Sequence, residues 1–363
     1  MKFFEKSILE SDALLSLARK NSNHMRRRDI LRSGLAAGGV TAGLSISKSA
    51  AAQSATTNQK ASHPKSNPEE FWPDGIRMPI SISLMFESGA QPRFGAPTPL
   101  VRWVPPEGIY DLPTMTWYRY GVTEGIPRAL EMFKRLNITV TSHMAGKAVE
   151  MYPDTAKSIV QAGHEAAAHG WDWSTQSTMT EEQEKAFIKK NVDIIKEVTG
   201  QRAIGFNAPG LRASRYILHN LNALGFKYHI DDVSRDEPFV VQINNKSEIA
   251  VVPYTIDLND IFAYEGRHFS DGDLQDAMKR SFDQLYEEAG SRRRMMSIAI
   301  HDRLMRPDHA KTMGEFLSYA QQKQGVSFMK KLDIADYILQ APNAIREPIG
   351  IVYPFIPGLY QGS

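Results

Sequence analysis

From Met78 onward, short apolar segments alternate with amphipathic segments of helical length, and this alternation is the feature that most restricts the fold. The first segment, residues 79–86, alternates apolar and small polar residues as a β-strand does. Further strands are predicted at 138–142, 165–169, 203–206, 226–230, 249–254, 296–300 and 326–328. Helices are predicted between them at 123–136, 180–200, 212–224, 271–289, 308–323 and 333–339. The alternation predicts an α/β fold, either a parallel barrel or an open sheet, of roughly seven strands.

The stretch Gly163–Trp173 holds two histidines, two carboxylates and two tryptophans around a short alanine run. A strand over 165–169 has a period of two, which puts Glu165 and His169 on one face and His164 on the other. The two histidines are therefore not expected to bind one metal ion together. Because Gly170 ends the strand, His169 lies at its carboxyl end, where the chemistry of parallel α/β folds collects. Taken alone, the pattern favours a buried histidine in a well-packed strand.

Polar side chains follow strand after strand. They are Glu87 with Ser88, His143, His169, Asn207, Asp231 with Asp232, Asp257 with Asn259 and Asp260, and His301 with Asp302. Any single one is explained by a helix cap or a loop residue, the commoner role for Asp and Asn at such places. Seven sets in succession at the carboxyl ends of parallel strands would meet at one mouth. The sequence therefore predicts a catalytic pocket there.

Composition excludes several classes of protein. A net charge of +2 with 23% charged residues argues against a nucleic-acid-binding protein driven by bulk charge. The chain has no cysteine, which excludes disulfides, thiolate metal sites and a cysteine nucleophile. No glycine-rich phosphate loop follows the first strand, which argues against a dinucleotide fold. We also find no run of eighteen apolar residues, so no membrane-spanning segment is expected in the mature protein.

The amino-terminal part is typical of a twin-arginine export signal. Arg27 and Arg28 precede a weakly apolar stretch, residues 33–47, and then a run of small residues that ends at Ala52. The order of basic, apolar and small residues predicts export with cleavage after Ala52. Whether translation starts at Met1 or Met25 stays open. The expected partner is the twin-arginine machinery, and the expected location is the periplasm or the outside of the cell.

The export signal also divides the chain. Residues 53–67 are rich in Ser, Thr, Gln, Lys and Pro, as flexible linkers are. The predicted divisions are an export signal at 1–52, a linker at 53–77 and a catalytic barrel at 78–363. The proline-, glycine- and aromatic-rich segment 91–120 is expected to be irregular and to cover the pocket.

Five segments of this chain resemble a known family. They are Phe86–Gly89, Tyr118–Gly121, Gly163–Gly170, Val252–Asp260 and Ser297–Arg303. From about Met78 to Leu339 the chain is similar to the polysaccharide deacetylase (nodulation-deacetylase homology) domain, and most similar to the branch of allantoinase-like enzymes and metal-independent cyclic imidases. The resemblance implies a distorted (β/α)7 barrel and hydrolysis of carbon–nitrogen bonds other than peptide bonds.

The chain departs from the metal-using members of that family. Those members have two adjacent aspartates after the first strand, a base and a ligand, and two histidines four residues apart after the third. Here Glu87 keeps a carboxylate at the base position, whereas Ser88 and Trp173 stand where two ligands would be. Asn207 also replaces the family's arginine. A hydroxyl and an indole are poor ligands for zinc, so we expect neither metal nor cofactor, with zinc only under an alternative function.

Hydrolysis without a metal needs a base for water, a proton donor for the leaving nitrogen and dipoles for the oxyanion. Glu87 is the candidate base, and His169 and His301 are candidates to transfer protons and polarise the carbonyl. Candidate substrate-binding residues are Tyr118, Tyr120, Trp171, Trp173, Asn207, Asp257, Asn259 and Asp260. The last three could equally cap the loop that follows them.

Three functions stay open on the sequence. The first is metal-independent hydrolysis of a cyclic imide, ureide or amide. The second is metal-dependent N-deacetylation of a glycan or peptidoglycan, which export to the cell envelope favours. The third is a barrel without catalysis that binds carbohydrate. The expected partner is thus a small-molecule or glycan substrate, and a homo-oligomer stays open.

Overall fold

A computed structural model describes residues 71–99, 106, 108–109 and 111–353. The predicted export signal and most of the linker lie outside the described residues, so both stay predictions. The last linker residues, 71–77, differ from expectation. Trp72 is fully buried, and its indole Nε1 donates to the Arg294 carbonyl at 3.0 Å. The barrel therefore begins to pack several residues before Met78.

Strands and helices alternate along the described chain. The strands are β1 (Met78–Phe86), β2 (Thr141–Met144), β3 (Glu165–Ala168), β4 (Gly205–Phe206), β5 (Tyr228–His229), β6 (Phe239–Asn244), β7 (Ser247–Val251), β8 (Met296–His301), β9 (Val326–Phe328) and β10 (Arg346–Pro348). The helices are α1 (Leu112–Tyr120), α2 (Ile126–Leu136), α3 (Gly146–Met151), α4 (Pro153–Gln161), α5 (Glu181–Thr199), α6 (Ile217–Ala223), α7 (Asp271–Glu288), α8 (Pro307–Gln321), α9 (Lys331–Gln340) and α10 (Ile349–Val352).

The strands form one curved sheet in the order β10-β6-β7-β5-β4-β3-β2-β1-β8, with β9 added beside β1. All neighbours are parallel except β6 and β7. Beyond β7, Asn259 forms a parallel bridge with Ala299 of β8, and Ala299 N donates to the Leu258 carbonyl. The seven strands β8-β1-β2-β3-β4-β5-β7 thus lie side by side, and the bridge from Asn259, eight residues after β7, links the last of them to β8. The predicted (β/α)7 fold class is confirmed.

The sequence of β1 determines which side chains enter the barrel. Ile80, Ile82, Leu84 and Phe86 belong to the core shared with the surrounding helices. The intervening small residues Ser81 and Ser83, with Met85, face the interior, since side chains alternate along a strand. The same alternation carries the next residue, Glu87, to the interior at the open end of the barrel.

Polar side chains fill one side of the barrel interior in layers. Thr141 pairs in register with Glu165, and two residues further on His143 pairs with Ala167, one layer nearer the mouth. His143 was expected after its strand but lies within β2, where burial lowers its pKa well below the usual value. At the bottom, the fully buried Lys331 donates to Ser81.

Two further features differ from the prediction. The segment 91–120 contains a helix, α1, which begins behind the cap Asp111 and buries Tyr118. β6 was not predicted; it forms a hairpin with β7 through the turn after Asn244. Among the described residues, no helix is both long and apolar enough to cross a membrane.

Candidate active site

Three strand ends bring Glu87, His169 and His301 together at the mouth of the barrel. Glu87 follows β1, and its Oε1 lies 2.9 Å from His169 Nε2, just past β3. Its other oxygen, Oε2, lies 3.9 Å from Nε2 of His301, the last residue of β8. All three side chains are buried, with Glu87 5% exposed. The three predicted catalytic residues are thus neighbours in the fold.

The hydrogen bonds of His169 determine where its protons are. Its Nδ1 lies 3.0 Å from the carbonyl oxygen of Asn207, which can only accept, so Nδ1 carries a proton. Its Nε2 faces Glu87, and one proton must lie in that bond as well. His164 lies on the opposite side of the strand, where its Nδ1 accepts from Val140 N and its ring packs edge-on against Phe133.

Charge keeps Glu87 ionised despite its burial. Burial alone would raise the pKa of this carboxyl group, but the charges of His301 and Arg303 outweigh that effect. The hydrogen bond from His169 acts in the same direction, and the resulting pKa lies far below the usual range. At neutral pH Glu87 can therefore accept a proton, although it is a weak base while all these partners are in place.

His301 is held by Asp260. The imidazole Nδ1 lies 2.5 Å from Asp260 Oδ1, and the backbone N of His301 donates to Oδ2 at 2.7 Å. Burial alone would lower the pKa of His301, but the carboxylates of Asp260 and Glu87 raise it above the usual value. The raised pKa favours the form of His301 that carries a proton on Nε2, the atom nearest Glu87. This arrangement suits a general acid.

Asp302 fixes the turn that carries Glu87. Its Oδ2 accepts from the backbone N of Glu87 at 3.0 Å and from the backbone N of Ser88 at 2.8 Å. The Ser88 hydroxyl lies 2.8 Å from the same oxygen and 2.6 Å from the Tyr118 carbonyl. A π-helical turn packs against this group, and only glycine fits there: a Cβ on Gly121 would lie 2.2 Å from Ser88 Oγ.

Arg303 is the site residue that the sequence reasoning missed. Its Nη1 donates to Glu87 Oε2 at 2.7 Å, and the side chain is only 3% exposed. The guanidinium carbon lies 5.1 Å from the ring centre of Tyr118 and 5.2 Å from that of Trp173, within the range of cation–π contacts. A basic residue directly after His301 and Asp302 was the only signal of it in the sequence.

A cleft of about 380 Å³ opens above these residues. Its floor contains Glu87, His169, His301 and Arg303. Of the predicted substrate-binding residues, Trp173, Asn207 and Asn259 line its walls. The amide nitrogen of Asn207 donates to Asp231 at 2.6 Å, which leaves the amide oxygen as an acceptor. Burial raises the pKa of Asp231 to about 6.

Two of the other predicted residues support the site, and three lie elsewhere. Tyr118 packs beside Arg303, and Asp260 holds His301. Trp171, however, turns away from the cleft, covers Gly146 and stacks on Lys190, whose Nζ lies 3.3 Å from the ring centre.

Tyr120 and Asp257 are the remaining residues outside the cleft. Tyr120 accepts a hydrogen bond from Arg128 and stacks on Arg306 at the outer side of α1. Asp257 is exposed and pairs with Arg267. Each of these three side chains outside the cleft contacts a cation that the sequence does not locate.

The donor atoms do not fit the zinc site of metal-using deacetylases. Ser88 Oγ is hydrogen-bonded to Tyr118 and Asp302, and Trp173 offers an indole ring. The Arg303 guanidinium occupies the space beside Glu87, and a cation there repels a metal ion. Within the described residues, one group of three acidic or histidine side chains could hold an ion, namely Asp271, Asp308 and His309, which lies outside the cleft.

Known proteins match this chain in sequence and structure. Residues 114–229 match the family described as polysaccharide deacetylase. A peptidoglycan deacetylase of Helicobacter pylori is 32% identical over 137 residues, which are 38% of this chain and 46% of that protein. The chain thus spans about half the length of that relative.

Two solved structures match over more of the chain. One is a probable polysaccharide deacetylase of Pseudomonas aeruginosa PAO1 and the other is PuuE allantoinase. Each is 28% identical with a TM-score of 0.69, and each match covers 75% of this chain and 93% of the other. The similarity to both agrees with the expected allantoinase-like branch.

Proposed function

The chain carries a polysaccharide deacetylase domain, and on that premise we propose that it is a hydrolase that opens the carbon–nitrogen bond of a cyclic imide or ureide without a metal ion. The observation that carries this proposal is that Glu87 contacts both His169 and Arg303. In the same site, Ser88 and Trp173 stand where metal-using deacetylases have two metal ligands. The likeness to PuuE allantoinase, which by its name acts on a cyclic ureide, supports the same substrate class.

The reaction consumes one water molecule. Glu87 takes a proton from water as the oxygen adds to the carbonyl carbon, and the carbonyl oxygen becomes an oxyanion. His301 then gives its Nε2 proton to the ring nitrogen as the carbon–nitrogen bond breaks. The product is a ring-opened carboxylic acid, and the proton held by Glu87 returns to His301 or to solvent. Asp260 fixes the imidazole of His301 throughout, through the bond to Nδ1.

The cleft favours a small, flat substrate. Its volume of about 380 Å³ is at the lower end for ligand pockets. Trp173 provides an apolar wall, while Asn207 offers an amide oxygen to a ring N–H. The ring strain and second carbonyl of an imide make its carbon more electrophilic than that of an acetamide, which usually needs a Lewis acid.

A second candidate function is N-deacetylation of peptidoglycan or another glycan. The similarity to the Helicobacter pylori peptidoglycan deacetylase favours it, as does the predicted export signal. The donor set beside Glu87 argues against it, because a zinc-dependent deacetylase needs the two ligands that Ser88 and Trp173 replace.

The experiment is a turnover assay on two substrate panels in the presence of EDTA. One panel contains succinimide, glutarimide, hydantoin, dihydrouracil and allantoin; the other contains chitin oligomers and peptidoglycan fragments. We expect ring opening in the first panel and no acetate release from the second. Acetate release that EDTA abolishes, with every ring left intact, would replace our proposal by the second candidate.

A further inference from the structure

We propose that Arg303 supplies the positive charge that a metal ion supplies in related deacetylases, by binding the substrate carbonyl oxygen and the oxyanion that forms from it. This inference rests on the proposed hydrolysis and adds a catalytic residue to it. The cation in question is part of the chain, so no exchangeable ion is required.

The first support is the position of the guanidinium. Arg303 lies on the floor of the cleft, 2.7 Å from the carboxylate of the candidate base Glu87. A water molecule that Glu87 activates attacks a carbonyl carbon next to it, so the developing oxyanion forms close by. A guanidinium there faces the charge that grows in the transition state, which is the usual basis of large electrostatic rate effects.

The second support is the set of N–H groups that Arg303 has left. A guanidinium has five N–H donors. To the residues that the structure describes, it makes one hydrogen bond, from Nη1 to Glu87. Among the described residues, Nε and Nη2 thus have no hydrogen-bond acceptor, and two adjacent donors of this kind can bind one oxygen or a carboxylate of a ligand in the cleft.

The third support is that Ser88 and Trp173, which stand at two ligand positions of metal-using deacetylases, help to position Arg303. Trp173, at a former ligand position, provides one aromatic face at 5.2 Å, and Tyr118 provides another at 5.1 Å. Ser88, at the other former ligand position, binds Asp302, whose Oδ1 lies 3.9 Å from Arg303 Nη1. Two aromatic rings and two carboxylates thus hold the guanidinium in one place, which reduces its reorganisation during the reaction.

Arg303 also connects substrate binding to the strength of the base. While it pairs with Glu87, it helps keep the pKa of that carboxyl group low. A substrate oxygen that binds the guanidinium draws part of its charge away from Glu87. The carboxylate then becomes more basic at the moment when it must take a proton from water. A role limited to holding Glu87 would not require the guanidinium to contact the substrate.

Kinetics separate these two roles. For Arg303→Gln and Arg303→Lys, with a substrate from the cyclic panel, we expect the plateau of kcat against pH to fall on the order of 10²-fold, as for loss of an oxyanion donor. Methylguanidinium should restore part of the rate of Arg303→Gln. If Arg303 only sets the pKa of Glu87, the acid limb of the profile would move up in pH with an unchanged plateau, and our proposal would be wrong.

A binding assay tests the same point without turnover. Succinamate, the ring-opened product of succinimide, presents a carboxylate in place of the oxyanion and can be titrated by calorimetry. We expect Glu87→Gln, which frees Arg303, to bind it at least tenfold more tightly than the wild type, and Arg303→Gln to lose binding. Arg306→Gln is the matched control, because Arg306 stacks on Tyr120 outside the cleft.

The two assays keep the two proposals apart. Unchanged succinamate binding in Arg303→Gln would overturn the role of Arg303 even if cyclic substrates are hydrolysed. Loss of binding in that variant would support it even if the turnover panel fails. Arg303→Lys keeps the positive charge beside Glu87, so a folded protein remains for study if the glutamine variant does not fold.

Discussion

The substitution Glu87→Gln tests the centre of the proposed site. It preserves the shape of the side chain but removes its charge and its ability to take a proton from water. In the wild type both carboxylate oxygens accept from donors, His169 Nε2 at 2.9 Å and Arg303 Nη1 at 2.7 Å. A glutamine has only one acceptor oxygen, so its NH₂ group must face one of these donors.

The expected loss of turnover is on the order of 10²-fold or more, the scale of a positioned general base, which corresponds to about 2.7 kcal/mol or more in activation free energy. The variant should also be less stable at pH 7, because the buried Arg303 loses its main counter-charge. Breaking a buried ion pair costs on the order of 3 kcal/mol.

The stability difference should depend on pH in a defined direction. The pKa of Glu87 is lowered on folding from its ordinary 4.5. Its ionised form therefore stabilises the protein above about pH 4.5, and this contribution is lost as pH falls towards the folded-state pKa. We expect the destabilisation of Glu87→Gln, measured by urea unfolding, to be full at pH 7 and to shrink below pH 4.5.

Glu165→Gln is the matched control. Glu165 is also a buried glutamate inside the barrel, but it lies at the bottom, where it accepts from Thr141 and Tyr228. Burial raises its pKa, so an uncharged amide is a milder change there. Its turnover should stay within about threefold of the wild type, since proton transfer needs a group in contact with the reacting atoms.

The histidines extend the test. His169→Ala and His301→Ala should each reduce turnover about as much as Glu87→Gln, and the Glu87/His301 double variant should be little worse than the worse single one, because groups that act together are not additive. His164→Ala should mainly lower stability. Near-full turnover in Glu87→Gln, or a larger kinetic effect at His164 than at His169, would refute this assignment.

Three further predictions concern export, metal content and the barrel interior. Replacing Arg27 and Arg28 by lysine should leave precursor in the cytoplasm, uncut on an immunoblot; normal periplasmic recovery would contradict the export signal. Because Ser88 and Trp173 stand at two ligand positions, the purified protein should contain substoichiometric zinc, nickel and cobalt by mass spectrometry. Its turnover should survive EDTA. One tightly bound ion per chain would contradict this expectation. Burial lowers the pKa of Lys331 from 10.5 to about 7, so stability should rise between pH 7 and 10.5 by up to about 5 kcal/mol. Lys331→Met should flatten that rise in urea unfolding, and an unchanged slope would contradict the buried charge.

The strand ends could be predicted from the sequence because a period of two fixes both the face and the depth of each side chain. Glu87 enters the barrel since it continues the alternation of Ser81, Ser83 and Met85. His169 and His301 follow from the same rule on β3 and β8. Topology then brings them together, as parallel strands have their carboxyl ends at one edge.

Residues beyond the strand ends could not be placed in this way. Trp171 and Trp173 are two positions apart in a loop, yet one covers Gly146 beside Lys190 and the other lines the cleft. Trp171 packs against α3 and α5, whereas Trp173 packs against Tyr118 and Arg303, so each direction depends on elements that the loop itself does not contain. The position of the Arg303 guanidinium could not be predicted either, because its long side chain extends to Glu87, a partner 216 residues away.

The positions that differ from a metal site depend on one another. An aspartate at position 88 would put a second carboxylate against Asp302, whose oxygen already lies 2.8 Å from the Ser88 hydroxyl. A histidine at position 173 would remove one of the two aromatic faces beside Arg303. With Arg303 in place, a metal ion would meet a fixed positive charge next to Glu87. Restoring one ligand alone would thus disturb the arginine without creating a metal site, because charge, aromatic faces and hydrogen bonds in this cleft all converge on the guanidinium.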